Sequence, residues 1–403
     1  MLTVDEALET IRSAAPPSPA EEVALAEASG RILAEDIVGA LTQPPFAASA
    51  MDGYAVRFDE ACKAGARLKL VGEARAGRGG ALRLGPGEAI RIFTGGVVPD
   101  GADHVVIQEE AERDGDKVVI RAAQAECANI RRAGVDFKKG DVLKKKGVRL
   151  TPIDLALIAA ANVARVKAAR RPVVAYFDNG DELAEPGAAL GPGEIVGSNR
   201  FAFEGLIADW GAQPRYLGRA ADSPASILEK YETGADADII VPIGGASVGA
   251  HDYVRAAFAE AGGALVFQKI AVKPGKPTWF GRLGSARVLG LPGNPASAIV
   301  CALLFLRPLI DAMSGAGSAM RFHAALEAPL RANGPRENYL RAAARLDTDG
   351  RVLVAPFPDQ DSSLLLPLAG AGALIRRPSG APAAGAGEIV ECVALSPMGF
   401  GAA

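Results

Sequence analysis

The chain has 403 residues, 49% of them hydrophobic, with a formal charge of −3 at pH 7. That length exceeds one ordinary core and predicts about two to four domains, and the small net charge argues against nucleic-acid or membrane-surface binding by the whole molecule. Cys62, Cys127, Cys301 and Cys392 form no CxxC pair, and His104, His251 and His323 are equally scattered, which excludes a zinc ribbon, a redox dithiol, a disulfide framework and zinc-hydrolase chemistry.

Thr3 and Glu6 form a capping-box pattern ahead of helical spacing at Val4, Ala7, Leu8 and Ile11, so a structural helix and no signal peptide is expected there. Short β-like runs such as AIRIFT from Ala89 and HVVIQ from His104 follow. Residues 131 to 171 carry twelve Lys/Arg against three acids, +9 locally and so −12 elsewhere. From Pro172 the pattern alternates: a strand VVAYF from Val173, a helix capped near Ser198 or Asn199 and running through Trp210, and a strand RYLG from Arg215. A helix with Pro224 in its first turn and a strand DIIVPI from Asp238 complete the alternation. This predicts a doubly wound α/β domain with its ligand at the carboxyl ends of the strands. The apolar run ASAIVCALLFL, Ala296 to Leu306, is shorter than the ~20 residues of a bilayer-spanning helix, so a soluble, cytoplasmic protein is expected. After about residue 318, short strands and turns such as DTDG from Asp347 predict a small all-β domain.

The expected architecture is therefore α/β multidomain: a discontinuous helical stalk (1–45 and 141–171), a β-rich insertion (46–140), a doubly wound α/β domain (172–317) and a C-terminal β domain (318–403).

Three glycine/proline loops follow strand-like runs in close succession: IGGASVGAHDYV from Ile243, AVKPGKPTWFGR from Ala271 and LGLPGNPA from Leu289. Such loops present backbone N–H groups and lysines to anionic ligands, and no GxxxxGK[ST] pattern makes them a Walker loop. Together with FAASAMDGYAV from Phe46, RIFTGGVVPDGADHVVIQEE from Arg91, NIRRAGVD from Asn129 and FDNGDEL from Phe177, their order resembles the molybdenum insertase family. These are the bacterial molybdopterin molybdenumtransferases, related to the catalytic domain of gephyrin.

The resemblance implies a molybdopterin-binding-like central domain, an elongated homodimer and a reaction in which molybdate enters adenylylated molybdopterin with Mg²⁺-dependent release of AMP. An adenylyltransferase that supplies the substrate and apo-molybdoenzymes that receive the product are implied partners. Bringing an oxyanion to a phosphate-bearing ligand requires cations, hard oxygen ligands for Mg²⁺ and fixed backbone donors. By resemblance, Asp52, Thr94, Arg131, Asp136, Glu182, Asp238, Lys269 and Lys273 form the catalytic set, with Asp52 arriving from the partner subunit. Gly244, Gly245, Ser247, Gly249, Lys276, Pro292, Gly293, Asn294 and Ser362 bind substrate or nucleotide, and Asp238, Asp252 and Glu182 ligate Mg²⁺.

Three departures stand out. The usual STGDEL reads DNGDEL, so Asp178 and Asn179 replace hydroxyl residues, and an extra negative charge there opposes phosphate. The TSGG lead-in reads PIGG from Pro242 to Gly245, losing a donor, and a QGS-like segment reads QDSS from Gln360 to Ser363. The alternatives are a non-catalytic or diverged pterin-binding scaffold, or a related nucleotidyl-transfer enzyme.

Overall fold

The computed structural model describes residues 1–77, 82–245, 253–317 and 321–395. The helix Val4–Ala14 opens with the Thr3/Glu6 capping box, Thr3 N donating to Glu6 Oε2 at 2.8 Å and Glu6 N donating to Thr3 Oγ1 at 3.2 Å. Its buried stripe of Val4, Ala7, Leu8, Ile11 and Ala14 packs into the core of the central sheet. The amphipathic face thus goes to the largest apolar surface available, not to the stalk. The stalk segments are joined by strands: Ala20–Ala24 pairs antiparallel with Arg165–Ala169, and Ile37–Val38 with Val142–Lys144.

The insertion is built on a six-stranded sheet that includes Gly53–Val56, Arg67–Ala74, Glu88–Ile92 and His104–Ile107. Gly53, the odd glycine of SAMDGYAV, has a packing reason: a Cβ there would lie 2.0 Å from Val106 O on the neighbouring strand.

In the central sheet Gln213–Ala220, Val173–Asn179, Ile239–Ile243 and Ala286–Gly290 lie side by side and parallel. Antiparallel Trp279–Leu283 and Ala264–Phe267 extend it. Val174 and Tyr176 face one apolar cluster while Ala175 and Phe177 face another, so both sides of the sheet are covered, as the continuous apolar runs predict. Helices Asn199–Asp209 and Pro224–Thr233 fall where predicted, Ser223 Oγ accepting from Ser226 N at the start of the second.

The apolar helix exceeds its sequence expectation. It runs without a break from Pro295 to Ser314, 20 residues, long and apolar enough to cross a bilayer by length and composition, yet 83% of that apolar window is buried inside the protein. It is the core helix of the α/β domain, its apolar side chains facing protein rather than lipid.

Beyond it, Glu337–Leu346 pairs with both Val352–Pro356 and Ala373–Arg377, Arg321–Leu326 with both Val352–Pro356 and Ile389–Ala394, and Ala373–Arg377 with Ile389–Ala394. The ladder therefore closes on itself as a small barrel. Val272 and Lys273, from the α/β half, pair in parallel with Glu337 and Asn338 and tie the lysine loop to the barrel.

Candidate active site

Two adjoining clefts meet at Asn294. The larger, about 600 Å³, lies between the α/β domain and the barrel and is lined by Lys273, Lys276, Asn294, Arg336, Asp361 and Ser362, among others. The KPGKP loop that supplies both lysines is fixed from beneath. Gly275 has φ +110°, and a Cβ on it would lie 2.0 Å from Cys301 Sγ. Thr278 Oγ1 donates to that sulfur at 3.3 Å. Burial pushes the Cys301 thiol up to about 12, so it stays protonated and structural. Asn294 donates from Nδ2 to Ser362 Oγ at 2.8 Å, and Ala296 N donates to Ser362 O at 3.1 Å, bringing the QDSS segment onto the amino end of the core helix. Pro292 lines this same cleft. Lys269 is half-buried just upstream, its carbonyl accepting from Leu2 N at 3.2 Å, and is not part of the lining.

The smaller cleft, about 290 Å³, gathers Asp178, Asn179, Glu182, Asn199, the Gly244–Gly245 turn and Gly293. Here glycine is required by contact. A Cβ on Gly244 (φ +99°) would meet Asn179 O at 2.8 Å, one on Gly245 (φ +64°) would meet Val254 Cγ2 at 2.3 Å, and one on Gly293 would meet Gly244 Cα at 3.2 Å. Asn199 Nδ2 donates to Gly293 O at 2.9 Å, and Asn179 Nδ2 to Asp222 Oδ1 at 2.8 Å. Both amide oxygens are buried without a partner. Ser247, Gly249 and Asp252 lie outside the described residues.

Of the departures, Asp178 is buried at the end of its strand and accepts from Tyr216 Oη at 3.3 Å. Desolvation pushes its carboxyl up to about 6. Pro242 sits inside the strand Ile239–Ile243, where its carbonyl accepts from Leu291 N at 3.0 Å.

The two described acids assigned to the metal, Asp238 and Glu182, do not converge. Asp238 precedes its strand at the end opposite Gly244, roughly 20 Å away at about 3.3 Å per residue. It binds Arg170 Nη2 at 2.6 Å and Val173 N at 2.7 Å, fastening the sheet to the stalk. Glu182 folds back over Gly180, where a Cβ would lie 2.4 Å from Glu182 Oε2. Among the described residues no group of three His, Cys, Asp or Glu side chains is placed to hold a metal ion. The described residues do not by themselves form a Mg²⁺ site.

Asp52 and Thr94 come together elsewhere, and Arg131 lies on a strand paired with Ala48–Ser49. Thr94 donates from N and Oγ1 to Asp52 Oδ1 at 2.7 and 2.8 Å, which holds that carboxyl below the usual range. Gly95 N donates to Ser49 O, and Arg131 pairs with Ala48. Asp136 lies exposed in the turn beyond, its N–H donating to Gln43 O at 3.1 Å. No described residue of 46–140 lines either cleft.

Arg336, Asn338 and Ser297 line the larger cleft although no motif marked them. Arg336 could be found only through the parallel pairing of Lys273 with its neighbour Asn338. Asn199 was legible as a helix start, but its contact with Gly293 was not.

Residues 2–162 match the family described as MoeA N-terminal region (domain I and II), 178–312 the probable molybdopterin binding domain, and 323–395 the MoeA C-terminal region (domain IV). A molybdopterin molybdenumtransferase of Haemophilus influenzae is 38% identical over 318 residues, 78% of either chain. One of Bacillus subtilis is 31% identical over 405 residues, 98% of this chain and 94% of its own. A crystal structure of the molybdopterin biosynthesis MoeA protein from Pyrococcus horikoshii superposes with a TM-score of 0.80 at 31% identity, covering 98% of this chain and 99% of that one. The chain belongs to the molybdopterin molybdenumtransferase family, enzymes of molybdenum cofactor biosynthesis.

Proposed function

We propose that the protein inserts molybdate into adenylylated molybdopterin and releases AMP. The observation that carries this reading is the junction at Asn294, where a cleft bearing Lys273, Lys276 and Arg336 meets the Gly244–Gly245 turn. The cations offset phosphate and molybdate charge in a site already shaped before substrate arrives. The amino end of the 20-residue core helix adds favourable potential for an anion beside Asn294. Glu182 and the Asn179/Asp222 pair border the glycine turn, and the buried amide oxygens of Asn179 and Asn199 supply acceptors there.

A homodimer completes the reading. Asp52 and Thr94 lie in the insertion, and Phe46, Met51 and Val135 of the same insertion are 41%, 44% and 67% exposed, apolar surface suited to a second copy. Asp52 would then reach the partner's clefts. Mg²⁺ is proposed as a cofactor held largely by substrate phosphates and water with one or two carboxylates, which suits a site without a dedicated cage. An adenylyltransferase supplies the substrate, apo-molybdoenzymes accept the product, and the reaction takes place in the cytoplasm.

The test is AMP release from adenylylated molybdopterin with Mg²⁺, with and without molybdate, scored alongside reactivation of an apo-molybdoenzyme. Molybdate-dependent release with reactivation is expected. Tight binding with neither would replace the reading by a scaffold, and pyrophosphate release would replace it by nucleotidyl transfer.

A further inference from the structure

Asp178 stands in the wall between the glycine-turn cleft and a third cleft of about 440 Å³, and lines both. It is 4% exposed. The groups around it compensate its charge only in part. Tyr216 on the adjacent strand gives it one hydrogen bond, 3.3 Å long, from a neutral phenol. Arg200 on the helix Asn199–Asp209 stacks 4.9 Å over the Tyr216 ring, but its Nη1 is held by both carboxylate oxygens of Glu185 at 3.1 and 3.2 Å. Arg219, paired in register with Asp178, donates to Leu183 O instead. On its other side the strand Ile239–Ile243 offers Ile243. Glu194 in the third cleft, Glu182 in the glycine-turn cleft and Glu204, bonded to Tyr176, add only negative charge. No ion pair among the described residues includes Asp178.

We propose that Asp178 sets the charge preference of these clefts: protonated, it tolerates and can donate to a phosphate-bearing ligand; ionised, it repels one. The inference rests on the reading that nucleotide phosphate binds beside the glycine turn. Burial supports it by raising this carboxyl to about 6, Tyr216 and Arg200 offsetting only part of the rise. The acid is therefore neutral below about pH 6 and charged above, so affinity for the anion is greatest on the acid side and falls as pH rises through that value.

The experiment measures the dissociation constant of AMP by titration calorimetry from pH 5 to pH 8 for the unaltered protein, Asp178→Asn and Asp178→Ser. AMP has its own ionisation near pH 6. Its effect on binding to the rest of the site is common to all three proteins and cancels in the ratio of variant to unaltered affinity, which leaves the part that depends on the Asp178 charge. That ratio is expected near one at pH 5 and about tenfold in favour of the variants at pH 8. Asp178→Asn keeps an acceptor for Tyr216, which guards against misreading a folding defect. A ratio that stays flat while all three proteins bind AMP overturns the inference alone. Failure of every protein to bind AMP at any pH overturns the nucleotide reading and the inference with it.

Discussion

Asn294 and Ser362, 68 positions apart, are joined by a 2.8 Å hydrogen bond from the Asn294 amide to the Ser362 hydroxyl, and that bond fastens the barrel to the amino end of the core helix. The seam also forms the cleft that holds Lys273 and Arg336. Asn294→Ala and Ser362→Ala are each expected to weaken substrate binding about tenfold, with little change in kcat. A double-mutant cycle on thermal stability should return a coupling of about 1 kcal/mol. Strict additivity would show that the bond does not join the two halves energetically.

Gly275→Ala tests how the lysine loop is held. The added methyl meets Cys301 Sγ at 2.0 Å on a backbone at φ +110°, so strain and overpacking act together. A loss of roughly 3 kcal/mol is expected, together with loss of activity from displaced Lys273 and Lys276. Pairing the change with Cys301→Ala removes the steric part and should recover about half the stability, leaving the backbone strain. No recovery in a chemical denaturation series would rule out the contact with Cys301 as the cause.

The strands and helices around these loops were legible because local signals agree with the fold: the Thr3/Glu6 box, Pro224 in a first turn and the apolar run at Ile239 each specify their own element. The site was legible only where a motif is itself the site. Asp238 lies close to Gly244 in sequence, but an extended strand carries it to the opposite end of the sheet's strands, where Arg170 holds it. Arg336 and Asn338 reach the cleft through barrel closure, a long-range pairing with no local mark in their sequence. The acid at Asp178 was visible as extra charge; its burial, which delays the appearance of that charge to higher pH, required the fold.

Asp178 also makes a prediction for stability. Its folded carboxyl is raised from 3.8 to about 6, so folding favours the protonated form: stability is fully present below about pH 4 and declines as pH rises through about 6. Two pH units correspond to roughly 3 kcal/mol as an upper bound. Asp178→Asn is expected to stabilise the protein by up to about 2 kcal/mol at pH 8 and hardly at all at pH 4, because the new amide still requires a partner. Urea unfolding at the two pH values decides it; equal effects at both would mean the carboxyl titrates normally.

Asp52 lines neither cleft. Thr94 binds its carboxylate at 2.7 and 2.8 Å in the insertion, while Lys273 lines a cleft that no described residue of 46–140 reaches. If a complete site takes Asp52 from one subunit and Lys273 from the other, Asp52→Ala and Lys273→Ala should each lower AMP release by about a hundredfold as pure homodimers. Neither should shift the melting temperature much, since Asp52 lies near the surface and Lys273 is exposed. Unfolded and refolded together in equal amounts, the two variants form mixed dimers in about half the population, and each mixed dimer holds one site with both residues intact. Activity should then return to about a quarter of the unaltered level. Sites built within a single subunit would give no return at all, because every chain in the mixture carries one of the two lesions.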